Sequence, residues 1–188
     1  MDEELWKYEY WFACIRKIKD RTKRSLREQM ASAKDIYNIE ETELKKHLEK
    51  PEDEDIILDS KRHWEMEKEY EKLLQGRITF LPYFHPDYPR KFDNLTSPPY
   101  AIYLKGKKIP AHTKKVAIVG ARHCSPYGER MAIEFGETLA CRGIYVISGM
   151  ARGVDGAGHR GALNVGGRSY AVLGSGVDVC YPKEHIGL

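Results

Sequence analysis

Three short apolar runs in the last 75 residues constrain the fold more than any other feature of the chain. Val116-Ala117-Ile118-Val119 runs into Gly120, Ile144-Tyr145-Val146-Ile147 into Ser148-Gly149, and Tyr170-Ala171-Val172-Leu173 into Gly174-Ser175-Gly176. Runs that are apolar throughout, rather than alternating, suit strands covered on both faces, as in parallel sheets. Between the first two, Met131, Phe135 and Leu139 recur four apart and stop at Arg142-Gly143; a shorter helical stretch reaches about Leu163 before the third. Strands alternating with helices predict βαβαβ, a Rossmann-like parallel sheet of the α/β class.

The preceding chain reads differently. Leu5, Tyr8, Trp11, Phe12, Ile15 and Ile18 lie three or four apart and predict an amphipathic helix. Shorter helices are expected over Ser25–Ser32, from the cap-like Thr42, and over Ser60–Gln75, where Gly76 ends the pattern. The acidic run Glu52-Asp53-Glu54-Asp55 after Pro51 reads as a solvated loop or a helix start. Residues 1–75 are therefore expected to form a small helical domain. Residues 76–112 carry the β-like runs Ile78–Leu81 and Tyr100–Leu104 among six prolines, which bar a long helix and predict a connecting segment. Residues 113–188 hold the sheet.

Charge divides along the same line. Residues 1–75 carry 16 Lys and Arg against 20 Asp and Glu, whereas residues 76–188 carry 15 against 8. A basic second half suits a polyanionic partner. The cysteines Cys14, Cys124, Cys141 and Cys180 are scattered, without a CxxC pair or a His at ligand spacing, which predicts free thiols and no metal. With no apolar run near the roughly 20 residues of a membrane span and an acidic N-terminus, a cytoplasmic protein that avoids membranes is expected.

Open parallel sheets bind ligands at the carboxyl ends of their strands, and glycine there lets a phosphate approach backbone amides. The same glycines also serve the tight turns such a sheet needs. The first loop is not GxGxxG, the second strand does not end in an acid, and no GxxxxGK[ST] occurs, so neither a dinucleotide nor a nucleoside triphosphate cofactor is expected. The first loop does offer Arg122, a planar fork of donors, with Ser125 and a helix start near Pro126. The second adds Arg152. His159 has no nucleophile, ligand partner or paired carboxylate beside it in sequence and reads as structural. Asp155 reads as a helix cap or a brace for Arg152, and Asp178 as similar.

The strings VAIVGARHCSPYG, ISGMARGVDGAGHRGAL and GGRSYAVLGSGVDVCYPKEH resemble the three successive signature blocks of the DprA/Smf family. YFHPDYPRKFDNLTSPPYAIYLKG is similar to that family's lead-in to the sheet, and the helical region beginning YEYWFACIRKIKD to its N-terminal module, which is SAM-like or helix-hairpin-helix-like. The resemblance implies a non-catalytic protein whose carboxyl edge binds single-stranded DNA and assists loading of the RecA recombinase in natural transformation, with homodimerisation. Its matching positions are Gly120, Arg122 and Ser125, then Ser148, Gly149 and Arg152, then Gly174, Gly176 and Lys183. Arg122 and Lys183 are expected as the principal phosphate contacts, with Asp155 and Asp178 bracing the loops. Where the family often has a glycine in a hairpin turn, this chain has Lys17-Ile18-Lys19-Asp20-Arg21-Thr22, and because family members continue past the point matching Leu188 a fragment is expected. The alternatives are a nucleotide-binding sensor, an enzyme cleaving nucleoside monophosphates at the same edge, or an inert remnant.

Overall fold

The computed structural model describes residues 2–110 and 112–188, which form two units dividing at Gly106/Lys107. Among the described residues the first holds six α-helices: α1 (Glu3–Cys14), α2 (Asp20–Gln29), α3 (Ala33–Asn38), α4 (Glu41–Leu44), α5 (Pro51–His63) and α6 (Met66–Gln75). Asp2 and Ser32 cap α1 and α3 by accepting backbone N–H bonds. The acidic run after Pro51 is the first turn of α5, where Pro suits the N-terminal position and carboxylates face the positive end of the helix dipole. The single helix expected over Ser60–Gln75 is in fact two, broken at Trp64 in extended backbone; the Trp64 ring joins the core while the residue's backbone N–H bonds the Ser60 carbonyl.

The apolar periodicity of α1 supplies the centre of this unit. Trp11 and Phe12 are fully buried among Leu26, Ile36, Leu44 and Ile57. Beneath them lies a buried carboxylate with every partner supplied: Glu9 accepts from Arg27 Nε at 2.8 Å, from the Tyr100 hydroxyl at 2.7 Å and from the Ala33 N–H at 3.1 Å.

The proline-rich segment is not a free connection. Its strands β1 (Ile78–Pro82) and β2 (Ala101–Lys105) pair antiparallel, Phe80 opposite Tyr103, and belong to the first unit. Aromatic packing holds them there: Phe12 meets Tyr100 edge-on at 5.4 Å, and Trp6 and Tyr10 each meet Phe80 at 5.6 Å. The boundary expected at Gly76 therefore lies after Gly106.

In the second unit, β3 (Lys115–Ala117), α7 (Pro126–Cys141), β4 (Tyr145–Ser148), α8 (Val154–Asn164) and β5 (Ser169–Ala171) follow in the alternation read from the sequence. The strands form one parallel sheet in the order β3-β4-β5, with Val116 opposite Val146 and Ile147 opposite Tyr170. Val146 and Ser148 are buried on the helix side, whereas Val119 and Val172 are 69% and 64% exposed. Glycine permits the close crossing of α7 and α8. A Cβ on Gly136 would lie 2.6 Å from the Gly158 carbonyl oxygen, and one on Gly161 only 2.1 Å from that of Ile133.

Among the described residues no helix is long and apolar enough to cross a membrane, and all four cysteines are free thiols.

Candidate nucleic-acid interface

Parallel pairing brings the carboxyl ends of β3, β4 and β5 to one edge, so the three glycine-bearing loops meet there. Asp155, in the first turn of α8, ties two of them together. It is 7% exposed, and its carboxylate accepts the Gly120 N–H at 3.3 Å through Oδ1 and the Gly149 N–H at 3.0 Å through Oδ2. Among the described residues Asp155 thus bonds backbone amides of two loops and makes no hydrogen bond to Arg152. It also corrects the expected role of the two glycines: their amides already hold an anionic group, the protein's own carboxylate, and are not free to cradle a phosphate.

The serines are engaged too. Ser125 caps α7, its hydroxyl oxygen accepting the Gly128 N–H at 3.1 Å. Ser148 is 3% exposed and donates to the Ile118 carbonyl at 2.5 Å, stitching β4 to the end of the first strand; burial removes it from any ligand. The third loop is more open, with Gly174 and Gly176 exposed. Among the described residues the Asp178 side chain makes no hydrogen bond; it lies beside Gly176, where a Cβ would fall 2.6 Å from its Oδ1.

The cations differ in availability. Arg122 is exposed and, among the described residues, has no ion pair or side-chain hydrogen bond. Its loop is nonetheless fixed from behind, because the Val154 N–H bonds the Ala121 carbonyl at 3.2 Å and Gly153, at φ +71°, sits where a Cβ would strike the Ala121 and Arg122 carbonyl oxygens at 2.3 and 2.7 Å. Lys183, in a 3-10 turn spanning Lys183–His185, is likewise exposed and unpaired. Arg152 is not: it is paired with Glu184. That partner was outside the sequence reading, and no local pattern announces it, since 32 residues separate the two.

His159 is 4% exposed, and its Nδ1 lies 2.5 Å from the Ser169 hydroxyl, which donates to the Val146 carbonyl at 3.0 Å. With that proton engaged, the ring donates from Nδ1 and leaves Nε2 buried without a partner among the described residues. Burial, reinforced by nearby His185 and opposed by Asp155, holds its pKa below the usual histidine value. Among the described residues the edge offers two exposed cations without an ion pair, Arg122 and Lys183.

The model of the family described as DNA recombination-mediator protein A matches residues 79–188, more than half of the chain. The chain belongs to that family. It is 44% identical over 101 residues to Protein Smf of Escherichia coli K12, which covers 54% of the chain and 27% of the relative. It is 36% identical over 98 residues to DNA processing protein DprA of Streptococcus pneumoniae R6, covering 52% and 34% respectively. The stretches matched in sequence thus cover about a third or less of these relatives' lengths. The fold extends the likeness through the helical unit: the X-ray structure of the Streptococcus pneumoniae protein superposes with a TM-score of 0.74 over 96% of this chain and 62% of that one, at 22% identity.

Proposed function

We propose that the chain binds single-stranded DNA at the carboxyl edge of its parallel sheet, as a non-catalytic DNA-processing protein of the cytoplasm that protects the strand and assists RecA in natural transformation. RecA and a second copy of the chain are its protein partners in this reading. The observation that carries it is Arg122: an exposed guanidinium, unpaired among the described residues, on a loop held from behind by Gly153 and Val154, near Lys183, which is likewise unpaired among them. Guanidinium and ammonium groups fixed in this way suit phosphate oxygens, which every nucleotide shares. The family description, which names recombination mediation, supports a nucleic-acid partner over a free nucleotide. The engagement of His159 with Ser169 supports binding over hydrolysis.

The test is titration of labelled oligo-dT and, separately, AMP. Arg122→Ala is expected to weaken oligo-dT binding without altering base preference, and to flatten the slope of log affinity against log salt by about 0.7, the contribution of one phosphate on a single strand. Lys183→Ala is expected to act alike. A folded Arg122→Ala protein with unchanged affinity and slope, or steady release of ribose 5-phosphate from AMP, defeats the reading.

A further inference from the structure

Arg152 and Lys183 both belong to the proposed interface, yet only one is ready to receive an anion. Arg152 Nε donates to Glu184 Oε1 at 2.5 Å, although the two side chains are 53% and 51% exposed. Exposed ion pairs are ordinarily loose, because two long side chains lose rotamer freedom to hold one geometry. Here the backbone on both sides is fixed. Beside Glu184, His185 is 8% exposed, its Nδ1 donates to the Met150 carbonyl at 3.0 Å, and its ring lies so close to α8 that a Cβ on Gly156 would fall 2.6 Å from Cε1. Pro182, on the other side of the turn, is fully buried. Arg152 stands between two residues in left-handed backbone, Met150 two positions before it at φ +59° and Gly153 after it at φ +71°. The Gly156 N–H closes that loop on the Ala151 carbonyl at 3.0 Å.

We infer that Glu184 is a built-in stand-in for phosphate at Arg152, so that a strand engages this arginine only by displacing the chain's own carboxylate. The inference rests on the carboxyl-edge reading above. Carboxylate and phosphate both accept from the guanidinium fork through paired oxygens. The contribution of Arg152 to affinity is then the difference between two similar interactions, and the displaced Glu184 remains beside a polyanion. Glu184 is thus a residue of the interface that lowers affinity: it holds binding below what three free cations would give and tilts the site toward ligands with several phosphates, which can recover elsewhere what the exchange at Arg152 does not supply.

The test is a double-mutant cycle with labelled oligo-dT on the full chain: wild type, Glu184→Gln, Arg152→Ala and the double variant, with Arg122→Ala as reference. Circular dichroism establishes that each is folded. Glu184→Gln is expected to tighten binding about two- to fivefold, the range set by exposed ion pairs, and to steepen the salt slope by about 0.7. Arg152→Ala is expected to weaken binding less than Arg122→Ala does. In the Arg152→Ala background, Glu184→Gln is expected to have little further effect, because the cycle isolates the pair. A gain from Glu184→Gln that persists undiminished without Arg152 marks general charge repulsion and overturns the inference while leaving the DNA site standing. The absence of any gain, with Arg122→Ala still weakening binding, overturns it equally. If Arg122→Ala also changes nothing, the carboxyl-edge reading itself has failed.

Discussion

At the scale of single residues, Asp155 decides what kind of site the sheet edge is. Glycines at strand ends suggest bare amides awaiting a phosphate, but an acid in the first turn of the next helix reaches back to two of them. Asp155→Asn keeps the shape while turning one of the two acceptors into a donor that faces an N–H. A buried donor left without a partner costs about 1–3 kcal/mol, so the variant is expected to lower the unfolding free energy of the second unit by that much, read by urea titration. His159 adds a pH dependence. Its pKa is depressed in the folded protein, so the unfolded chain takes up the proton first. This residue is therefore neutral to stability above its ordinary value of about 6.5 and destabilising below it. Melting temperature is expected to fall as pH drops from 7 to 5, with a shallower fall in His159→Gln; parallel profiles would remove His159 as the cause.

At the scale of elements, the legible parts of the fold were those written in local periodicity. The alternation of β3 through β5 with α7 and α8 follows from apolar runs and i, i+4 spacing within a few residues of each boundary. The pairing of β1 with β2 does not, because Phe80 and Tyr103 meet across an intervening proline-rich stretch and only their aromatic packing on α1 explains the hairpin's place. The break at Trp64 carries no Gly or Pro to mark it. In the site, Asp155 does not cap α8, whose N-cap is Gly153, but reaches Gly120 35 residues away, and like Arg152 with Glu184 this is a contact between distant loops that no local pattern marks. At the glycines of α8 packing outweighs propensity. Ala is better than Gly in a helix by about 0.8–1 kcal/mol, yet Gly161→Ala places a Cβ 2.1 Å from a backbone oxygen of α7 that cannot swing aside. The expected result is a loss on the order of 1–3 kcal/mol, as for overpacked cores. Gly128→Ala, whose Cβ would meet its nearest neighbour at an ordinary 3.5 Å, is expected to gain stability. Equal effects at both positions in thermal melts would show that the crossing tolerates a methyl group.

At the scale of the whole molecule, the second unit carries the proposed binding edge on a three-stranded sheet with one exposed face. Parallel sheets are ordinarily covered on both faces, but here α7 and α8 bury one side while Val119 and Val172 lie exposed on the other and Tyr145 stacks on Tyr170 at 5.8 Å. The outer strands β3 and β5 each present an unpaired backbone edge within this sheet. Apolar surface and open edges of this kind promote association, and a small unit has little burial to spare against it. The chain is expected to associate reversibly, with an apparent molecular mass by light scattering and a melting temperature that both rise with protein concentration. Replacing Val119 and Val172 together by lysine places charge on the bare face without touching Arg122, Lys183 or the Asp155 brace. That variant is expected to shift the population toward monomer while retaining oligo-dT binding at the carboxyl edge. A wild-type protein that is monomeric and melts cooperatively at one temperature across a hundredfold concentration range would show that the exposed face is stable in water as it stands.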